Sequence, residues 1–267
     1  MIAAIRAALF ALALAWSLGA TPARAGTLVE FPNVTEQSNP PHLLGYLARP
    51  ESGPGPFPAV VVLHGCQGMA AGGSLQLADQ FKDWGYVGLA VDSLGPRGLG
   101  TGCGGLFNEQ ATDAFAALKF LSRQSFVIPD RIAALGSSMG GTSALTAVGR
   151  GFFERAFAEK FAAAIAFYPA CAGHSPLLNA PALILIGAED ETTPAVACRH
   201  LVAQPHAEDA PIELVVYPGA HHGFNFAILQ PGRRASGHWQ EYNEAAAKDA
   251  EARVRNFLAT HLGPGRQ

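Results

Sequence analysis

The 267-residue chain has no H-E-x-x-H and no Cys-x-x-Cys, so the common metal-holding spacings are missing and neither a metal nor another cofactor is expected. It has no excess of positive charge: 18 Lys and Arg stand against 21 Asp and Glu, net −3, which argues against a nucleic-acid partner. No internal repeat or long linker divides it, and the stretches 51–56 and 93–106 are loops rich in glycine and proline. The one long apolar run, Ala7 to Ala20, is broken by Ser17 and Gly19 and falls short of the ~20 residues that span a bilayer.

That run follows Arg6 and precedes Thr21-Pro-Ala-Arg-Ala25. A short basic start, an apolar core and small residues before the junction read as a secretory signal peptide over 1–25, cleaved before Gly26. No cysteine sits at the junction to take a lipid. The expected product is a periplasmic or secreted chain of residues 26–267 with net charge −5, a length that suits one α/β domain and leaves no room for a second.

Within it, apolar runs at 43–48, 57–63, 86–91, 131–135, 161–167, 182–186 and 212–217 alternate with helical stretches near 74–84, 109–124, 140–149, 194–203 and 239–262. Such alternation predicts a doubly wound, mostly parallel sheet flanked by helices on both faces. The last helix carries Ala250, Val254, Phe257, Leu258 and Leu262 on one face, spaced to pack on the sheet.

Gly136-Ser-Ser-Met-Gly140 joins one of these runs to a helix. G-x-S-x-G between strand and helix is a nucleophile elbow, with Ser138 as the reactive residue. The serine must take φ > 0 on a sharp turn, so its neighbours two before and two after must lack side chains. The plain alternative is a glycine-rich turn in which Ser137 and Ser138 are ordinary turn or N-cap residues. What separates the two is whether an acid, a base and a second oxyanion donor follow in order.

The run 182–186 ends in Gly187-Ala-Glu-Asp-Glu-Thr-Thr-Pro194, where Asp190 sits at the fold-back and Glu189 and Glu191 are expected as solvated neighbours. The run 211–217 ends in Pro218-Gly-Ala-His-His-Gly-Phe-Asn225, where His222 is the preferred base over His221. The order Ser138, Asp190, His222 is that of α/β-hydrolases and excludes the chymotrypsin and subtilisin orders. His64-Gly-Cys-Gln-Gly68 follows the β-branched run 57–63, so the backbone N–H groups of Cys66 and Met139 are the expected oxyanion donors. Cys66 itself has no elbow around it and is read as structural.

HGCQG, GSSMGG, LIGAEDETTP and YPGAHHGF together resemble the dienelactone hydrolase family of α/β-hydrolases, over about Leu43 to Leu262. The resemblance implies cleavage of lactones or small carboxylic esters by a nucleophile, Asp and His triad, falling here on Ser138, Asp190 and His222. The family's name-giving members use a cysteine nucleophile and carry a glutamate in the oxyanion loop; this chain has Ser138 and, in the loop, His64-Gly65. Both departures point to a serine esterase branch. Those members also clamp a substrate carboxylate with an arginine after the fourth strand, which makes Arg97 a candidate for substrate binding; the alternative is that it pairs with Asp92 or caps its loop.

Cys66, Cys103, Cys171 and Cys198 allow three connectivities. The bridges Cys66–Cys103 and Cys171–Cys198 are favoured, each joining loops that follow neighbouring strands, with buried free thiols as the alternative. Gly100 to Gly105 matches G-x-G-x-x-G formally but lies too far past its strand to hold a dinucleotide, and Asn33-Val-Thr35 is a formal sequon. The leading expectation is an exported serine hydrolase for small-molecule esters or lactones acting through an acyl-enzyme. Its rivals are an exopeptidase or amidase of the prolyl-oligopeptidase type and a silent binding module that kept the fold.

Overall fold

The computed structural model describes residues 26–35, 40–70, 73–103, 105, 107–204 and 210–265. The expected signal peptide, 1–25, lies outside the described residues.

Among the described residues eight strands form one sheet: β1 (Thr27–Phe31), β2 (Leu43–Ala48), β3 (Phe57–Leu63), β4 (Val87–Asp92), β5 (Val127–Ser137), β6 (Ala163–Phe167), β7 (Ala182–Gly187) and β8 (Ile212–Tyr217), in spatial order β1-β2-β4-β3-β5-β6-β7-β8. β1 with β2 and β2 with β4 are antiparallel; every pairing from β4 to β8 is parallel. The central strands explain their place by composition. Phe57-Pro-Ala-Val-Val-Val-Leu63, Ala163-Ala-Ile-Ala-Phe167 and Ala182-Leu-Ile-Leu-Ile-Gly187 are buried at every position, as strands covered on both faces must be.

Among the described residues the helices are α1 (Ser74–Asp83), α2 (Phe107–Ser122), α3 (Met139–Val148), α4 (Phe152–Ala156), α5 (Ala195–Ala203) and α6 (Glu244–Leu262), which cover the sheet except for α4, packed on α3. On one face α6 meets the end of α1, where the Arg255 guanidinium lies 5.6 Å from the Trp84 ring. On the other, α2 and α3 pack together over β3, β5 and β6. Phe115 of α2 stacks on Phe157 with centroids 4.3 Å apart and tilts against Phe161 at 5.5 Å, which closes the core beneath α4.

The elements differ from the sequence expectation in several places, among them β5, which begins at Val127 and not at residue 131. β1 is an additional edge strand and α4 an additional short helix. The last helix begins at Glu244, where Asn243 caps it by accepting from the Ala246 N–H at 3.0 Å. Residues 239–243 were expected inside it. Instead β9 (Arg233–Ala235) and β10 (His238–Gln240) form a hairpin around Ser236 and Gly237, at φ 50° and 86°. Positive φ at both central residues is the signature of a tight two-residue hairpin turn. Both X-Pro cis bonds, Gly55-Pro56 and Gln230-Pro231, lie in loops. Among the described residues no helix is long and apolar enough to cross a membrane.

Candidate active site

Parallel strands deliver their C-terminal loops to one edge of the sheet, and the sequence-predicted residues meet there. Ser138 sits between β5 and α3 at φ 55°, ψ −115°, a conformation an L-residue keeps only when its surroundings enforce it. The enforcement is backbone against backbone. A Cβ on Gly136 would stand 2.2 Å from the Gly140 carbonyl oxygen, and one on Gly140 would stand 2.1 Å from the Leu63 carbonyl oxygen. The Ser138 N–H donates to the Phe167 carbonyl at 2.9 Å, pinning the elbow to β6.

The acidic turn after β7 and the histidine loop after β8 pack as closely: a Cβ on Gly187 would stand 2.1 Å from the Ala220 carbonyl oxygen. Asp190, 4% exposed, accepts the Thr192 and Thr193 N–H groups at 2.9 and 2.8 Å. Its Oδ2 lies 2.8 Å from His222 Nδ1, and His222 Nε2 lies 3.0 Å from Ser138 Oγ. A carboxylate only accepts, so Nδ1 carries the proton and Nε2 faces the serine as an acceptor. This arrangement can draw the hydroxyl proton onto the imidazole while the carboxylate holds the ring.

Two residues at this site were not singled out from the sequence. The Thr193 hydroxyl lies 3.0 Å from the Tyr168 carbonyl and 3.1 Å from Asp190 Oδ2, tying the acid to the loop after β6. Tyr168 takes φ 38° and its ring centroid is 4.5 Å from that of His222. Its hydroxyl donates to Asn225 Oδ1 at 2.8 Å, and burial pushes its ionisation far above the ordinary tyrosine range, so it stays a neutral donor. No local sequence pattern marks either residue, because each matters only through a neighbouring loop.

On the other side of Ser138 lies the loop after β3. Cys66 is bridged to Cys103, and its carbonyl accepts from Gly102 N–H at 2.9 Å and Thr101 Oγ at 3.1 Å. Neither the Cys66 nor the Met139 N–H has an acceptor among the described residues. Cys171–Cys198 is the second bridge; both are the pairings expected from the loops.

Arg97 is engaged within the chain. Its Nη1 and Nη2 lie 2.8 Å from the two oxygens of Asp113, whose side chain is fully buried, and Nη1 also donates to the Ser93 carbonyl at 2.8 Å. The planar fork is matched to a carboxylate of the chain itself, in place of the substrate carboxylate expected from the resemblance. Of the alternatives, pairing with Asp92 is corrected, since Asp92 accepts the Leu94 and Gly95 N–H groups, while the bond to the Ser93 carbonyl does cap the loop. Asp113 and Gln110 were passed over in the sequence, though two polar residues at i and i+3 beside Ala111, Ala114 and Ala117 of α2 are a legible sign of a buried polar contact. Glu189 and Glu191 are exposed as expected, Glu191 accepting the Trp239 N–H at 3.2 Å, and His221 Nδ1 lies 3.1 Å from the Glu189 carbonyl.

A mostly parallel sheet in this order, with serine, acid and histidine on the loops after β5, β7 and β8, defines an α/β-hydrolase fold. The chain belongs to the dienelactone hydrolase family, whose model matches residues 43–262. A Salmonella typhimurium protein provisionally named carboxymethylenebutenolidase is 37% identical over 86 residues, covering 32% of this chain and 28% of that protein. The match thus spans less than a third of that relative. An uncharacterized protein of Mycobacterium tuberculosis is 32% identical over 225 residues, 77% of each chain. Among solved structures, Thermogutta terrifontis esterase 2 superposes with TM-score 0.67 at 20% identity, over 91% of this chain and 97% of that one.

Proposed function

We propose that the chain is an exported serine hydrolase of small carboxylic esters or lactones, working through an acyl-enzyme. The observation that carries this reading is the unbroken hydrogen-bonded line from Ser138 Oγ through His222 to Asp190, at 3.0 and 2.8 Å. Ser138 attacks the carbonyl carbon as His222 Nε2 takes its proton, and Asp190 stabilises the resulting imidazolium. The tetrahedral oxyanion is received by the N–H groups of Cys66 and Met139, the second at the N-terminus of α3, where the helix dipole favours negative charge. His222 then protonates the leaving oxygen, and water enters by the same route in reverse to free the acid.

The family supports the ester or lactone substrate, and the likeness to an esterase structure agrees with it. Two disulfides support the exported setting, because such bridges persist in oxidising compartments. Residues 26–267 are taken as one catalytic unit.

Fluorophosphonate labelling of the purified protein, with mass spectrometry of the peptides, tests the reading. The expected adduct is on Ser138, is abolished in His222→Ala, and accompanies hydrolysis of aryl esters and lactones that falls by roughly 10⁴-fold or more in the same variant. A folded protein that neither labels nor hydrolyses would overturn it, and faster turnover of aminoacyl amides than of esters would move it to the peptidase class.

A further inference from the structure

We infer that Gln110, with His64 and Ser143, forms a buried hydrogen-bonded chain that sets the orientation of both oxyanion N–H groups, making Gln110 a positioning residue for the reaction. The inference rests on the reading of Ser138 as nucleophile.

The loop donor is governed by His64. This side chain is fully buried, and its Nδ1 lies 2.7 Å from the Gly65 carbonyl oxygen while the Ser93 N–H points at its Nε2 from 3.1 Å. A backbone N–H can only donate, so Nε2 is bare and Nδ1 carries the proton, which it gives to the Gly65 carbonyl. That carbonyl shares a peptide unit with the Cys66 N–H, and in a trans peptide the two point in opposite directions. Holding the Gly65 oxygen therefore aims the Cys66 N–H outward from the loop. The tautomer is itself held from behind, because the Ser93 carbonyl accepts from Arg97, which is anchored on Asp113.

Gln110 connects this loop to the other donor. Its Nε2 donates to the His64 carbonyl at 3.1 Å, and its Oε1 accepts from Ser143 Oγ at 3.0 Å; that hydroxyl also lies 3.0 Å from the Met139 carbonyl. The shorter contact sets the amide orientation, with Nε2 on the His64 carbonyl at 3.1 Å, where the flipped form would face one carbonyl oxygen with another; the same Nε2 lies 3.4 Å from His64 Nδ1. One side chain of α2 thus spans the first peptide of the loop and the first turn of α3, the two segments that carry the Cys66 and Met139 N–H groups. Gln110 and Ser143 are both fully buried. Buried polar groups of this kind hold geometry well when each partner is satisfied.

The experiment compares wild type with Gln110→Met, which keeps the length of the side chain and removes both bonds, and with Ser143→Ala, which deletes one hydroxyl. Steady-state hydrolysis of an aryl acetate gives kcat and KM, and inhibition by an aryl trifluoromethyl ketone reports on the oxyanion site, because Ser138 Oγ adds to the ketone carbon and the Oγ proton passes to His222. Gln110→Met is expected to lower kcat about 10–100-fold with KM within two-fold, and to weaken the ketone by a similar factor. Ser143→Ala should move both in the same direction by less, and the double variant should match Gln110→Met alone, as for members of one chain. Circular dichroism verifies folding; if Gln110→Met does not fold, Ser143→Ala carries the test. Folded variants that keep kcat within two-fold, or that raise KM alone, would overturn the inference. A wild-type protein that neither labels nor hydrolyses would instead remove the reading beneath it.

Discussion

Replacing Gly140 by alanine adds one methyl group at the tightest point of the elbow. Its Cβ would stand 2.1 Å from the Leu63 oxygen, 2.6 Å from the Leu63 carbon and 2.8 Å from the His64 oxygen. All three are backbone atoms of the central strand and its loop, so no side chain can swing aside. Reaching a tolerable separation of about 3.0 Å requires the start of α3 to retreat from β3 by about 0.9 Å. Overpacking of this kind costs about 1–3 kcal/mol, which in a chain of this size lowers Tm by roughly 2–12 °C. The same retreat carries Ser138 and the Met139 N–H away from the Cys66 N–H, and a misplacement near 1 Å costs about 10²-fold in turnover. Gly149→Ala is the matched control, because at the far end of α3 its nearest neighbour is 3.4 Å away and its φ is −70°. Thermal unfolding and aryl ester kinetics on both variants check the argument. Gly140→Ala with turnover within two-fold of wild type, or Gly149→Ala losing as much, would refute it.

Two further outcomes follow from the disulfides and the buried histidines. Cys66–Cys103 closes 37 residues and Cys171–Cys198 closes 27, so in the chain-entropy picture their removal by paired serine substitution costs about 4 and about 3.5 kcal/mol; chemical unfolding measures the loss, and only the first pair is expected to lower kcat as well. Burial is the main cause holding the ionisation of His64 below the ordinary histidine range, against opposing pulls from the Gly65 carbonyl, Asp92 and Asp113, and burial likewise lowers His174. The unfolded chain then binds these protons first as pH falls below about 6.5. Their contribution to stability is complete above that pH and declines as pH falls toward their folded-state values, by at most about 1.4 kcal/mol per pH unit for each histidine. Urea midpoints between pH 7 and 5 should fall more steeply in wild type than in His64→Gln, and equal slopes would exclude His64.

The strand runs 57–63 and 182–186 could be read from composition, because strands buried on both faces must be apolar throughout, whereas 43–48 and 212–217 are partly exposed and were legible from their apolar, β-branched or aromatic residues before a turn. The order of Ser138, Asp190 and His222 could be read because each sits where a run ends in a turn of distinctive residues. The hairpin 233–240 was hidden by its shortness and by the helix-forming sequence beside it, although Ser236-Gly237 is a turn signal.

What the sequence determined by itself is local: which segments are strands or helices, which turn carries the serine, and which residues stand at the ends of parallel strands. The tertiary structure alone decided which donors meet which acceptors across the chain. Arg97 goes to Asp113 and not to Asp92, Thr193 bridges Asp190 and Tyr168, and Gln110 reaches from α2 to the His64 carbonyl. Periodicity and turn chemistry act over a few residues. A buried hydrogen bond between residues 46 positions apart is fixed only when the sheet has brought its loops to one edge.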